Sequence, residues 1–219
     1  MLELAAKREG QTIYLIDKPG AAQSVISAGQ VTVERNHPDY MPLVVMNMTF
    51  GGQFTARLNM NLRENKGYTY GYRSRFDWRR SRSAYITGGS VQTAVTKEAL
   101  FETLKEFNDL VKDRPISEDE FEKARLGLIR GFPPTFETPG HVLRRLIDIV
   151  HFGLPDDHFS RQVERLQAVT LADVHRVASE HVDPSMLSVI IVGDRSVIEA
   201  PLRELGINIV LLDPEGLLA

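Results

Sequence analysis

Two hydrophobic periods follow one another along this chain, and their order constrains its fold more than any other feature. Residues 12–17, "TIYLID", form an apolar strand stopped by Pro19-Gly20, and 23–34 alternate weakly as a second strand. The pattern then turns helical. Asn36-His37-Pro38 reads as a helix start with proline in the first turn. Leu43, Val44, Val45, Met46 and Met48 make that helix apolar nearly all round, hence buried, and Gly51-Gly52 ends it. A second helix places Phe54, Leu58 and Leu62 four apart, with Gly67 as its C-terminal stop. Period two returns at 68–76 and 83–93, two strands of a hairpin with an arginine-rich turn.

From there the chain is helical. Thr96 is placed to cap a helix with Leu100, Leu104, Phe107 and Val111 on one stripe. Ser117 and Glu120 spell a capping box, Pro133-Pro134 interrupts, Thr138-Pro139 opens a helix running to Val150, and Thr170 with Asp173 opens another. The continuous run "MLSVIIVGD", a short helix and "INIVLLD" close the chain. Strands and helices are grouped rather than strictly alternating. That order predicts an α+β fold: a mostly antiparallel sheet with helices packed on one face. Residues 1–11 read as an extension or linker, and 12–219 as one domain.

The chain has 219 residues, 42% of them hydrophobic and 25% charged, which is enough to build a real core. With 26 basic and 29 acidic residues its net charge is −3, so nucleic acid is not an expected partner. Arg73, Arg75, Arg79, Arg80 and Arg82 form the one basic concentration, read as a solvated hairpin or as a contact for an acidic ligand. No apolar stretch reaches 18 residues, so no membrane span is expected, and the start lacks the apolar core of a signal peptide. The absence of cysteine excludes thiol catalysis, disulfides and thiolate metal sites, and suits cytoplasm and periplasm alike.

Most catalytic patterns are missing. None of the six histidines pairs on consecutive helical turns around a glutamate, and neither H-E-x-x-H nor H-x-x-E-H occurs, so no metal ligand is assigned. There is no G-x-S-x-G, and "GGSVQT" lacks the lysine of a phosphate loop. Glu118, Asp119 and Glu120 fall in a first helical turn, where the dipole favours carboxylates. Gly88 and Gly89 inside a strand mark close packing or a bulge, or else a close backbone approach to a peptide. One stretch remains, "LNMNLRENKGYTYGYRSRF". It carries Arg63, Gly67 and three tyrosines, Tyr68, Tyr70 and Tyr72, two apart and so expected on one strand face. Arg63 can be a cation at a helix end, and tyrosines are common in strands. Alternatively a planar guanidinium and a rigid phenol both donate to one carbonyl oxygen that becomes negative.

That stretch resembles the L-x-x-x-L-R-E-x-x-G-x-x-Y signature of the pitrilysin/insulinase family of zinc metallopeptidases. "IYLIDKPGAAQSVI", "GGSVQTAVTKEAL" and the segment from "GLPDDHF" to "SVIIVGD" resemble the family in the same order. Ala94-Val95 departs from it, where the family often has charges. The resemblance implies a pitrilysin/insulinase-type inactive-half domain whose zinc sits in a homologous partner half, bound through an inverted H-x-x-E-H. It implies that Arg63 and Tyr70 are the catalytic pair of this half, that Gly88 and Gly89 lie on the substrate-binding strand, and that substrates are peptides or unfolded proteins. The chain alone is then expected to carry no cofactor and to be inactive, with both tips facing one cavity and not the core. Two alternatives stand beside it: a catalytically silent core subunit, and a peptide-binding module that adds a strand at an edge near Gly88.

Overall fold

A computed structural model describes residues 10–218. The expected extension over residues 1–11 therefore lies, for residues 1–9, outside the described residues. Six strands form one sheet: β1 (Thr12–Asp17), β2 (Gln23–Val31), β3 (Arg73–Asp77), β4 (Ala84–Gln92), β5 (Ser188–Gly193) and β6 (Asn208–Leu212). Their order is β3-β4-β2-β5-β1-β6. The neighbours β3–β4, β4–β2 and β2–β5 are antiparallel, whereas β1 pairs parallel with both β5 and β6. The parallel pairs follow from the chain ending as strand, helix, strand: α8 (Arg195–Arg203) carries it from β5 to β6 as a crossover.

Period two decides which face is covered. Ile13, Leu15, Ile26, Ala28, Val189 and Ile191 are buried, while Val25 and Ile190 on the opposite face are exposed. The covered face packs against α1 (Tyr40–Asn47), α2 (Arg57–Asn59), α3 (Thr96–Asn108), α4 (Glu118–Gly131) and α7 (Leu171–His181), directly or through one another. The α+β reading with helices on one face is met. Helix α5 (Pro139–Phe152) and α6 (Gln162–Ala168) complete the helical part. The core is aromatic where β4 meets α3: Phe50 lies edge-on to Phe107 at 4.7 Å, and Phe76 stacks on Tyr85 at 4.3 Å.

Several local signals hold and several shift. Ser117 and Thr170 both make full capping boxes, and Thr138 caps α5. Thr96 does not cap α3. Its hydroxyl lies within the helix and bonds Ser24 and the Thr93 carbonyl, which ties α3 to β2 instead. Proline 38 precedes α1 rather than sitting in its first turn, and Phe54 stays outside α2, half exposed. β2 stops at Val31, three residues short of the expected end. The five arginines of the β3–β4 hairpin are all exposed, as the solvated reading requires.

Arg57 is the buried cation that locks the helices. It reaches both carboxylate oxygens of Glu120 at 2.7 and 2.6 Å, and the carbonyls of Arg114 and Pro115. Burial alone would raise the Glu120 carboxyl; the Arg57 fork and the Ser117 amide overcome that and hold it at about 2. A depressed carboxylate contributes stability above its unfolded value and loses it as pH falls through the folded one. Unfolding free energy is therefore expected to drop between about pH 4.4 and 2. Glu120→Gln is expected to flatten that acid limb, as urea titrations across pH would read.

Candidate functional site

The site is built on a helix that ends abruptly. From Met60 to Asn65 the α2 helix continues with wider turns, and Lys66 N–H reaches back five residues to the Asn61 carbonyl. Gly67 has φ +67°, where a side chain would be strained, and it closes the helix. Its N–H bonds the Arg63 carbonyl at 3.0 Å, while Tyr68 N–H bonds Leu62 at 2.9 Å. The backbone of Arg63 is thus part of the stop itself. Its side chain is partly exposed, lies 4.6 Å above the Phe54 ring centroid and has Glu64 at 3.4 Å.

The following segment is not a strand. β3 begins only at Arg73, and the three tyrosines do not share a face: Tyr68 is half-buried, Tyr70 is 88% exposed and Tyr72 is sealed in the core. The cause is Thr69. Its hydroxyl donates to the Ser90 carbonyl at 2.6 Å and accepts the Gly71 N–H at 3.1 Å, folding the chain into a bend with Tyr70 at its tip. Both sides of the bend are held. Thr69 bridges Val91, Gln92 N–H reaches the Tyr68 carbonyl, and Tyr72 N–H is accepted by Asn59 at 3.1 Å. The Tyr72 hydroxyl bonds Thr103, and burial pushes it well above the usual phenol range.

Gly88 and Gly89 sit mid-strand in β4, which lies between β3 and β2. The strand near Gly88 is therefore not an edge, and the strand-addition alternative loses its premise, because both flanks of β4 are already paired. A Cβ on Gly88 would collide with the Ile26 carbonyl; one on Gly89 would come within 2.5 Å of the Gly71 carbonyl and 2.9 Å of Tyr72 Cδ2. Gly89 thus lets the Tyr70 bend lie directly on β4.

Arg63 and Tyr70 leave the same pinned junction, and no hydrogen bond or ion pair joins them among the described residues. Neither enters the core, as expected. Among the described residues the expected shared cavity is not formed around Tyr70, since the ring stands in solvent. Sequence reasoning missed a second group. His37, Asp39 and His181 place ligand atoms within 4.8 Å of one another, the one such group found among the described residues. Positions 37, 39 and 181 follow no local spacing rule, so only the fold reveals them. A cavity of about 740 Å³, lined by both histidines, opens beside them.

Comparison with known proteins agrees with the fold. Residues 3–128 match the family model described as the peptidase M16 inactive domain, and the chain belongs to that family. The resemblance to the pitrilysin/insulinase peptidases stands on that match. No curated protein matches. Among solved structures, a peptidase M16 inactive domain from Pseudomonas fluorescens is 21% identical with TM-score 0.79, covering 88% of this chain and 46% of that one. A Helicobacter pylori protease is 16% identical with TM-score 0.73, covering 85% and 45%. A chain of Candida albicans complex III2 is 13% identical with TM-score 0.70, covering 90% and 49%. The chain spans a little under half of each of these relatives. No helix among the described residues is long and apolar enough to cross a membrane.

The two kinds of residue at the junction are expected to separate by stability. Gly89→Ala should lower the unfolding free energy by roughly 1–3 kcal/mol, because its Cβ meets backbone. Tyr70→Phe should change it by no more than about 0.5 kcal/mol, because the ring touches little. Urea unfolding of both variants checks this.

Proposed function

We propose that this chain is the non-metal half of a zinc metalloendopeptidase, and that Arg63 and Tyr70 bind and orient a peptide in the site of a zinc-bearing homologous half. The observation that carries the reading is Tyr70, an aromatic ring 88% exposed on a backbone pinned from both sides. An exposed ring on a mobile loop would be unremarkable. A rigidly mounted one is pre-organised for a contact outside its own chain. Membership in the inactive-domain family and coverage of just under half of longer relatives support a partner half.

The zinc of the partner supplies an activated water and a polarised carbonyl. The residues of this chain supply position and charge. Arg63 offers a permanently charged planar fork and is free to leave its surface contact with Glu64, which water screens. Tyr70 offers one hydroxyl proton. Donors held where negative charge develops stabilise the transition state more than the bound substrate, so their loss falls mainly on turnover. Gly89 serves the same site indirectly, since it admits the bend that carries Tyr70, while Gly88 lets β4 lie close against Ile26 of β2.

Reconstitution with a zinc-bearing half tests this. Tyr70→Phe is expected to assemble normally and to lower kcat by about 10²–10³, with a smaller rise in KM. Arg63→Ala is expected to impair both. Unchanged kinetics for both variants in an intact complex would leave a catalytically silent subunit as the function.

A further inference from the structure

The histidine–aspartate group that the fold assembles at the far end of the sheet is independent of Arg63 and Tyr70. Asp39 stands immediately before α1, His37 lies in the turn preceding it, and His181 is the last residue of α7. His181 Nε2 is 2.7 Å from Asp39 Oδ2, and His37 Nδ1 is 3.7 Å from the same oxygen. Asp39 N–H also approaches His37 Nδ1 at 3.2 Å. All three side chains are mostly shielded from solvent. Arg176 grips the carboxylate from behind, at 2.6 Å to Oδ1 and 3.1 Å to Oδ2.

We propose that His37, Asp39 and His181 form a binding site for a first-row transition dication, zinc in the first instance, with one coordination position open to the adjoining cavity. Zinc–nitrogen and zinc–oxygen bonds of about 2.0–2.1 Å place tetrahedral ligand atoms roughly 3.3 Å apart. The two separations to Asp39 Oδ2, 2.7 and 3.7 Å, bracket that value, and no two ligand atoms of the group are more than 4.8 Å apart, so rotation of the two rings has to close the remaining gap. Ligation uses the lone pairs of His181 Nε2 and His37 Nδ1, so the Nε2 contact with Asp39 and the Asp39 N–H bond to Nδ1 both give way to the metal. Two imidazoles and a carboxylate are the donor set zinc takes with a fourth position free.

The surroundings favour a cation independently of the ligands. Glu34, Glu180 and Asp183 face the cavity against the single cation Arg82. Counting Asp39 and Arg176 as well, four carboxylates stand against two guanidiniums. Arg176 is the outer partner that orients the ligating carboxylate, and Glu180 accepts from it in turn at 2.8 Å. Its charge lowers affinity, and its Nη1 shares Oδ2 with the proposed metal position. A bound ion would join the start of α1 to the end of α7. Filled, this site would be separate from the catalytic zinc of a partner half and would add a ligand set that histidine spacing did not lead one to expect.

Calorimetric titration of the chelator-treated chain with zinc chloride tests the site. One equivalent is expected to bind, and magnesium chloride in excess is expected not to compete, because it seeks oxygen ligands. His37→Gln and His181→Ala should each weaken binding by about tenfold or more, and the exposed, remote His141→Gln should leave it unchanged. Cobalt chloride should give visible absorption of tetrahedral intensity that His37→Gln abolishes. His37 is the more exposed ring, so its variant keeps the test valid if His181→Ala unfolds. Absence of one-equivalent binding overturns the site. So does binding that His37→Gln leaves intact while circular dichroism stays native.

Discussion

A single buried amide holds the junction between Arg63 and Tyr70 together. Asn59 gives its N–H₂ to the Phe54 carbonyl at 2.8 Å and takes the Tyr72 N–H on its oxygen at 3.1 Å. It thereby fixes the segment before the helix, the helix itself and the segment after the bend in one frame. A buried amide left half satisfied would cost on the order of 1–3 kcal/mol, so the three pieces move together or not at all. Everything that places Arg63 relative to Tyr70 depends on this frame: the glycine stop at Gly67, the Thr69 bend and the lodging of Gly71–Tyr72 on Gly89.

That frame explains how one short segment serves two opposite purposes. Tyr72 is drawn into the core, where its hydroxyl finds Thr103 and its ring fills space. Two residues earlier Tyr70 is pushed out. Burial of the first anchors the second, because the bend between them has hydrogen bonds on both sides. Arg63 is set by the same device from the helical side. The site is stiff where it meets the domain and bare where it meets solvent, which suits a surface completed by another polypeptide.

How much of this was legible in the sequence depends on the range of the interactions. The capping boxes at Ser117 and Thr170 are local, and both were readable. The weak alternation of "SVISAG" was readable too, whereas the continuous run "SVIIVG" hid its one-sided burial, since Ile190 stands exposed between buried Val189 and Ile191. The tyrosines misled because period two assumes an unbroken strand, and the Thr69 side chain breaks it through a partner, Ser90, twenty-one residues away. Thr96 misled for a similar reason, its hydroxyl being claimed by Ser24 across the fold. Gly88 looked like an edge because sheet order is a tertiary fact. Arg63 and Tyr70 could be named from the signature, but not the bend that separates Tyr70 from its neighbours. The group of His37, Asp39 and His181 spans the chain and left no local trace.

The central claim is that Arg63 and Tyr70 act on one and the same oxygen of a substrate held by a second half. A double-mutant cycle in the reconstituted enzyme addresses it most directly, comparing kcat/KM for the parent, Arg63→Ala, Tyr70→Phe and the double variant. If both donors serve one oxyanion, the double variant loses clearly less than the product of the two single losses. Losses that multiply, with the complex intact, would mean the two side chains act at separate places and would contradict the account.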